Sequence, residues 1–548
     1  MNLTIEKISA ATGGELILPA SVKPEKYSGS HASGVFIDSR LCGENSVFVA
    51  IKGERSDGHS YIKDVFAKGA LCAICEHLPD DFDPSCGPCV VVDSSTEALK
   101  KLAAYYRSTL DIKIVGIVGS MGKTSTKEMV ASVLSQHYNT HKTSGNFNNE
   151  IGVPLTLLAI REEHEAAVVE MGISDFGEMD RLGAIVRPDA VVMTNIGPCH
   201  LEFLHDLDGV LKAKSEVFKY VAKNGLIALN GADEKLRSIS HVENCRICYY
   251  NTDPSESSVS ASSANSFGSD ASGAVKQAAA GHPAEMSSSD PQDIIEQSNP
   301  GHPASQATTG NLVNFSTITV TNKKSLGLLG TSFKLVTPAG TIDATVHLPG
   351  AHTVTNAQAG AAIGLEFGLS LEEIAAGIGA VKPVQGRGYI EQIGGCTVID
   401  DCYNANPESV KAAIDLLKTA EGRKCAILGD MFELGENSSA LHAEVGEYAA
   451  SAGLGLAVFI GAMSKNGYDA YNAHSSINSK PEKNHAARSA VKPEPVLPKA
   501  MYFKDLDTFF DFYSTIPFKK GDNILIKASH GMHFDKILAF FKENGIMR

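Results

Sequence analysis

Val115-Gly116-Ile117-Val118-Gly119-Ser120-Met121-Gly122-Lys123-Thr124-Ser125 decides the fold. It reads as a buried strand, a tight glycine-rich loop, and a Lys-Thr pair opening a helix. A loop of this kind turns backbone N–H groups inward around phosphate oxygens. The helix N-terminus adds positive potential and Lys123 a full charge. The Thr124 hydroxyl stands where it can bind the Mg²⁺ that accompanies a nucleoside triphosphate. Ile112, Ile114, Val115, Ile117 and Val118 suit a parallel strand covered on both faces. Met129, Val130, Val133 and Leu134 follow at helical spacing. The usual phosphate-loop pattern has a glycine at the position held by Ile117, so the loop is a shortened variant whose first turn is Gly119.

Moving outward, the chain alternates strands and helices. Strands are expected at 113–118, 166–171, 190–195 and 226–230, and a second alternating series at 397–401, 424–428, 456–460 and 523–527. Shorter strands are expected at 35–37, 47–51 and 90–92, with helices over 60–69 and 96–108. A chain of 548 residues is too long for one core. The expected class is α/β with three domains: a small mixed α/β domain (1–108), a central parallel-sheet P-loop ATPase domain (109–384), and a C-terminal Rossmann-like α/β domain (385–548). Residues 252–311 are rich in Ser, Ala, Gly, Pro and Asn, and repeat Gly-His-Pro-Ala at 281–284 and 301–304. Such a segment cannot bury enough apolar surface to offset its ordering entropy, so it is expected to be a disordered insertion. A second, polar insertion is expected at 473–497.

Composition excludes several classes. A net charge of −15 argues against a general nucleic-acid binder, though not against a local basic pocket. No apolar run approaches the length of a membrane span, and Met1-Asn2-Leu3-Thr4-Ile5-Glu6 is not a secretory signal, so a cytoplasmic protein without membrane insertion is expected. Eleven cysteines include the pairs Cys72/Cys75, Cys86/Cys89 and Cys245/Cys248. The first two pairs have a zinc-ribbon-like spacing, and Cys86-Gly87-Pro88-Cys89 matches a thiol redox motif. Residues 69–75 and 89–92 nevertheless read as strands, so these cysteines are expected as small buried residues rather than metal ligands.

The chemistry gathers at strand ends. Val168-Val169-Glu170-Met171-Gly172 places a carboxylate beside the phosphate site, where open α/β sheets bind ligands. Glu170 is a natural Mg²⁺ ligand. Thr194-Asn195-Ile196-Gly197-Pro198-Cys199-His200 ends another strand with a second candidate ligand, His200.

Together with Ala213-Lys214-Ser215-Glu216-Val217-Phe218, these stretches resemble the Mur ligases, which build cytoplasmic peptidoglycan precursors by ATP-driven amide formation. The resemblance covers nearly the whole chain outside the two insertions. Three stretches are similar to the branch that joins D-alanyl-D-alanine to UDP-N-acetylmuramoyl-tripeptide: residues 144–154, around Asn146 and Asn149; residues 400–409, with Asp401, Tyr403 and Asn404; and residues 428–435. A sister ligase adding a single amino acid is the alternative.

The resemblance implies a set of roles. Gly119, Ser120, Met121, Gly122, Lys123, Thr124 and Ser125 would bind ATP, together with Asn356, Arg387, Tyr403 and Asn404. Ser39 and Arg40, in Asp38-Ser39-Arg40, would bind the UDP moiety, as would residues 52–59, and Asn146 and Asn149 would contact substrate. Lys123, Glu170, His200, Lys214, Arg387 and Asp401 would be catalytic. One Mg²⁺ would lie on Thr124 and Glu170, and a second metal between His200 and a carbamylated Lys214. His352 would line the reaction centre. Thr353, Ala528 and His530 depart from the family pattern, which has Asn after His352 and Lys-Gly-Ser-Arg at 527–530.

Overall fold

The computed structural model describes residues 1–19, 29–54, 56–78, 86–252, 316–478 and 499–546. The expected insertion at 252–311 lies outside the described residues except for Thr252, as do Arg55 and most of 473–497. Residues 473–478 continue the helix Ser464–Asn478.

Three sheets form, one for each expected domain. The first has five strands. Gly34–Phe36, Ser46–Val49, Cys72–Cys75 and Cys89–Val91 run parallel, and Glu15–Ile17 closes one edge antiparallel. Cys72 packs into one apolar cluster and Cys75 and Cys89 into another, so the zinc-like spacing does not bring four thiols to one point. Cys86 is exposed.

The second sheet has nine strands. Lys113–Val118 lies between Ala166–Glu170 and Ala190–Met193, parallel to both. The order runs outward on either side of this strand, which makes its C-terminal end a topological switch point and so a natural ligand crevice. Ile114 and Val118 pack into one cluster, Val115 and Ile117 into the opposite one. Ile117 is therefore strand rather than loop, and the shortened turn starts at Gly119. Past Leu226–Asn230 and Arg246–Tyr250, the sheet continues through Ser316–Ser325 and ends in two antiparallel strands, Thr331–Thr337 and Gly340–Val346. This antiparallel edge is an addition to the purely parallel sheet read from sequence.

The third sheet has six strands. Cys396–Asp400, Asn523–Lys527, Lys424–Gly429, Leu456–Ile460 and Ala500–Phe503 are parallel, with Tyr389–Ile393 antiparallel at the edge.

The first two domains share one continuous apolar cluster through the helix Ser95–Ser108, whose Leu99, Leu102, Ala103 and Tyr106 are buried. The Tyr106 hydroxyl donates to the Ile160 carbonyl at 2.8 Å. The third domain has separate cores. It meets the second at the phosphate loop, where Asn406 Nδ2 lies 3.1 Å from Met121 Sδ. It also meets the turn Gly327–Leu329, whose Leu328 packs into a third-domain cluster close to the end of the helix Pro407–Lys418.

Candidate active site

The phosphate loop is built by two glycines with different duties. At Gly119 (φ 149°) a Cβ would come within 1.9 Å of the Thr194 hydroxyl, so only glycine lets the strand Ala190–Met193 approach. Gly122 (φ 76°) is left-handed, and no side chain caps the helix Lys123–Leu134 that follows. The first N–H groups of that helix are left free for an anion. The loop is braced from the next strand end. Thr194 Oγ1 donates to the Met121 carbonyl at 2.6 Å, the Met121 N–H donates to Asn195 Oδ1 at 2.9 Å, and Gly197 N–H donates to Ser120 Oγ at 3.0 Å. Lys123 Nζ folds back on its own loop, donating to the carbonyls of Gly119 (2.9 Å) and Ser120 (3.2 Å). Burial pulls its pKa down, partly offset by the Glu170 carboxylate.

Glu170 is buried beneath this loop. Its Oε1 accepts from Thr124 Oγ1 at 3.2 Å and from Asn148 Nδ2 at 2.9 Å. Its Oε2 is buried with no hydrogen-bond partner, 3.9 Å from the Lys127 ammonium. An orphaned carboxylate oxygen beside a threonine hydroxyl is a hard, anionic donor set, and it fits Mg²⁺.

His200 and Lys214 come from adjacent segments. His200 is left-handed (φ 48°) and starts the short helix Leu201–Leu204. Burial lowers its pKa, which favours the neutral, ligating imidazole. Lys214, on the helix Leu207–Ser215, is 1% exposed. Burial, reinforced by the charge on Lys123, brings its pKa from 10.5 to about 8. The lowered pKa enlarges the minor fraction of neutral amine available near neutral pH, the form that carbamylation requires.

The third domain reaches in through Arg387. Its guanidinium lies 4.0 Å above the Tyr403 ring, and its Nη2 is 3.4 Å from Thr124 Oγ1. Its Nε is buried and unpaired. Asp401 does not face the loop unaccompanied: Lys527 Nζ donates to its Oδ2 at 2.6 Å and to the Asn404 carbonyl at 3.0 Å. The Asn404 side chain is turned to its neighbour, accepting from Ala405 N–H. Asn356 is buried and accepts from Thr126 Oγ1 at 3.0 Å. It lines a small cleft with Ser125, Glu128, His352, Val384 and Arg387. This cleft opens beside the helix that follows the phosphate loop.

Four expected residues lie elsewhere or are otherwise engaged. Arg40 is exposed and paired with Asp38 at 2.7 Å, holding that carboxyl at about 2. The Ser39 carbonyl accepts from Lys68 Nζ. Asn149 Oδ1 accepts from Gly152 N–H at 2.9 Å and so caps the helix Gly152–Leu158. Asn146 is exposed, its carbonyl accepting from Asn148 N–H. Of this asparagine-rich stretch, it is Asn148 that reaches Glu170, a contact the sequence reading did not assign. Lys127, Thr143, Asn195, Asn406 and Lys527 were also left without roles. For Lys127 a signal existed, since it lies one helical turn after Lys123 and hence on the same face.

Three family models match in chain order: "Mur ligase family, catalytic domain" over 31–107, "Mur ligase middle domain" over 117–289, and "Mur ligase, glutamate ligase domain" over 387–530. The chain is 34% identical over 431 residues to the UDP-N-acetylmuramoyl-tripeptide–D-alanyl-D-alanine ligase of Escherichia coli, covering 78% of this chain and 81% of that one.

The chain belongs to the Mur ligase family.

This Mur ligase is also 32% identical over 449 residues to the Bacillus subtilis protein of the same name, covering 81% and 82% of the two chains. Among solved structures, MurF from Acinetobacter baumannii superimposes with a TM-score of 0.74 at 27% identity, over 99% of each chain. The three-domain α/β architecture is the family's. As a Mur ligase, the chain is an ATP-dependent amide-forming enzyme.

Proposed function

We propose that this Mur ligase joins D-alanyl-D-alanine to UDP-N-acetylmuramoyl-tripeptide, forming the pentapeptide, ADP and phosphate. The names of the relatives that match over about four-fifths of the chain support the substrates. The observation that carries the mechanism is Arg387 of the third domain reaching Thr124 of the phosphate loop. It supports a phosphoryl-transfer site shared by the second and third domains.

A carboxylate and an ammonium do not condense in water. Transfer of the γ-phosphoryl group to the tripeptide carboxylate creates an acyl phosphate with a good leaving group. Attack by the dipeptide amine then passes through a tetrahedral oxyanion, and phosphate leaves. Both steps concentrate negative charge. The helix N-terminus at Gly122, the Lys123 ammonium and the Arg387 guanidinium would offset it. Lys123 would exchange its carbonyl partners for phosphate oxygens, and the Tyr403 ring beneath the planar Arg387 guanidinium would orient it for bidentate contact. Thr124 and Glu170 would hold one Mg²⁺, and His200 with a carbamylated Lys214 a second, to neutralise phosphate and carboxylate charge. Asn356 and the adjoining cleft would take the adenosine, and the first domain, with Ser39 and Arg40, the UDP moiety, with Arg40 exchanging Asp38 for diphosphate. Asn146 would contact the peptide substrate. The domain limits that fit this division are 1–108, 109–384 and 385–548. Among the described residues no helix is long and apolar enough to cross a membrane. The proposed site of action is the cytoplasm, where the precursor is made, with no nucleic-acid partner.

Phosphate release from ATP with UDP-muramoyl tripeptide, measured with and without D-alanyl-D-alanine, tests the reading. Release dependent on the dipeptide supports it. Release driven instead by a single amino acid would assign the chain to a sister ligase.

A further inference from the structure

Arg387 has few side-chain partners to hold it in place. Its guanidinium touches the Tyr403 ring and the Thr124 hydroxyl, and its Nε is buried without a partner. Among the described residues no carboxylate pairs with it. Glycines stand on either side, Gly386 at φ 77° and Gly388 at φ 67°, both left-handed. A segment of this kind swivels readily unless something fixes it. Whatever aims the guanidinium therefore acts on the main chain.

A reciprocal pair of hydrogen bonds does so. Gly386 N–H donates to Asp400 Oδ2 at 2.9 Å, and the Gly386 carbonyl accepts from Tyr403 N–H at 3.1 Å. Asp400 ends the strand Cys396–Asp400 and is buried. Its Oδ1 accepts from Cys402 N–H at 3.3 Å. Among the described residues no cation lies within ion-pair distance of it. A buried carboxylate without a cation is costly unless hydrogen bonds compensate it, and bonds to an anion are the strong ones. Two main-chain N–H groups supply them here, one beside Arg387 and one beside Tyr403. The two segments are closely apposed, since a Cβ at Gly386 would lie 3.2 Å from the Tyr403 Cβ.

This splice has a catalytic consequence under the function proposed above, on which the inference rests. The guanidinium belongs to the third domain and the phosphate loop to the second. Its effect on a transferring phosphoryl group depends on orientation, and a misplacement of about 1 Å can cost about 10²-fold in rate. One pair of bonds fixes both the backbone that carries Arg387 and the backbone that carries the ring beneath it. We propose that Asp400 is the positioning residue for Arg387. By clamping the Gly386 peptide to the loop of residues 401–404, it aims the guanidinium at the phosphate loop, and it does so without touching substrate or nucleotide itself.

The test is a double-mutant cycle in the full chain. Asp400→Ala removes the acceptor, and Gly386→Ala strains the same splice from its other end. Each is made alone and together with Arg387→Ala. Steady-state phosphate release gives kcat and the KM for ATP, ADP titration gives nucleotide affinity, and thermal melts report folding. Each single variant is expected to lower kcat about tenfold or more, with ATP KM and ADP affinity changed by less than about threefold. In the Arg387→Ala background either substitution is expected to cost less than about twofold, because the group it positions is gone. A merely structural Asp400 would cost the same factor in both backgrounds, and that result would overturn the proposal. So would an unchanged kcat in either single variant, or a fall in ADP affinity that matches the fall in kcat. Asp400→Asn, which keeps one acceptor, carries the cycle if Asp400→Ala does not fold. Failure of all three variants to fold would make the splice structural and also overturn the proposal. Near-wild-type release by Arg387→Ala alone would instead overturn the reading on which the inference rests.

Discussion

The ammonium of Lys127 stands 3.9 Å from the orphaned Oε2 of Glu170, and both side chains are at most 3% exposed. Lys127 Nζ also donates to the Thr143 carbonyl at 2.8 Å, while Thr143 Oγ1 accepts from Glu170 N–H. One buried cation thus ties the carboxylate to the strand end that carries it. Lys127→Met removes the charge at similar volume and leaves a buried carboxylate uncompensated. The expected loss is about 3 kcal/mol of stability. Thermal unfolding checks this, and ADP titrations with and without Mg²⁺ should show a smaller magnesium-dependent gain in affinity than in the wild type.

Lys123→Ala should leave the fold intact, because the Lys123 ammonium contacts only its own loop carbonyls. Removing a charge aimed at the transferring phosphoryl group should cost about 10²-fold or more in turnover. Near-normal phosphate release in this variant would sink the placement of the phosphate site.

Gly119→Ala is expected to be worse for folding than Gly122→Ala. The first puts a methyl group 1.9 Å from Thr194 Oγ1, a hydroxyl anchored to Met121, whereas the second meets nothing within 4 Å and is opposed only by φ. Melting temperatures of the two variants give the comparison directly.

Lys214 makes a pH prediction with a definite sign. Its folded pKa, about 8, lies below the ordinary 10.5. Below pH 8 the lysine is charged in both states and its burial is a constant penalty. Between pH 8 and 10.5 the folded state binds fewer protons, so stability rises with pH. In carbon-dioxide-depleted buffer, Lys214→Met should therefore be more stable than wild type below pH 8, by roughly 3 kcal/mol, and the gap should close by pH 10.5. If carbamylation operates, Lys214→Ala should lose most activity and recover part of it with acetate or formate. Lys212→Ala, on the exposed side of the same helix, should have little effect. Rescue by small amines alone would mean that Lys214 acts as a plain cation.

Arg387→Lys keeps the charge but loses the planar group that rests on Tyr403. It should lower kcat by about tenfold or more, with Tyr403→Leu showing a weaker effect in the same direction. Phosphate-release assays at saturating ATP separate these effects from nucleotide binding.

Much of this architecture is legible in the sequence, for a physical reason. Strands buried on both faces, such as Lys113–Val118, Leu226–Asn230 and Asn523–Lys527, read as unbroken apolar runs, and the structure places all three at the expected residues. The antiparallel edge is harder. Gly340–Val346 has its alternate residues partly exposed, so it carries a polar alternation rather than an apolar run. The loop motif also marks the proposed phosphate site. Side-chain direction is what a motif does not carry. Asn146, Asn148 and Asn149 are equivalent by residue type, and only the folded turn decides that Asn148 meets Glu170 while Asn149 caps a helix.

The turn Gly327–Leu329 gives the second domain a second hold on the third, well separated in sequence from the linker that leads to Arg387. A body attached at two points has one easy motion, a swing about the line through them, and strong resistance to sliding or twisting. In a swing of that kind Arg387, Asp401 and Lys527, all on the third domain, would move as one piece relative to the phosphate loop.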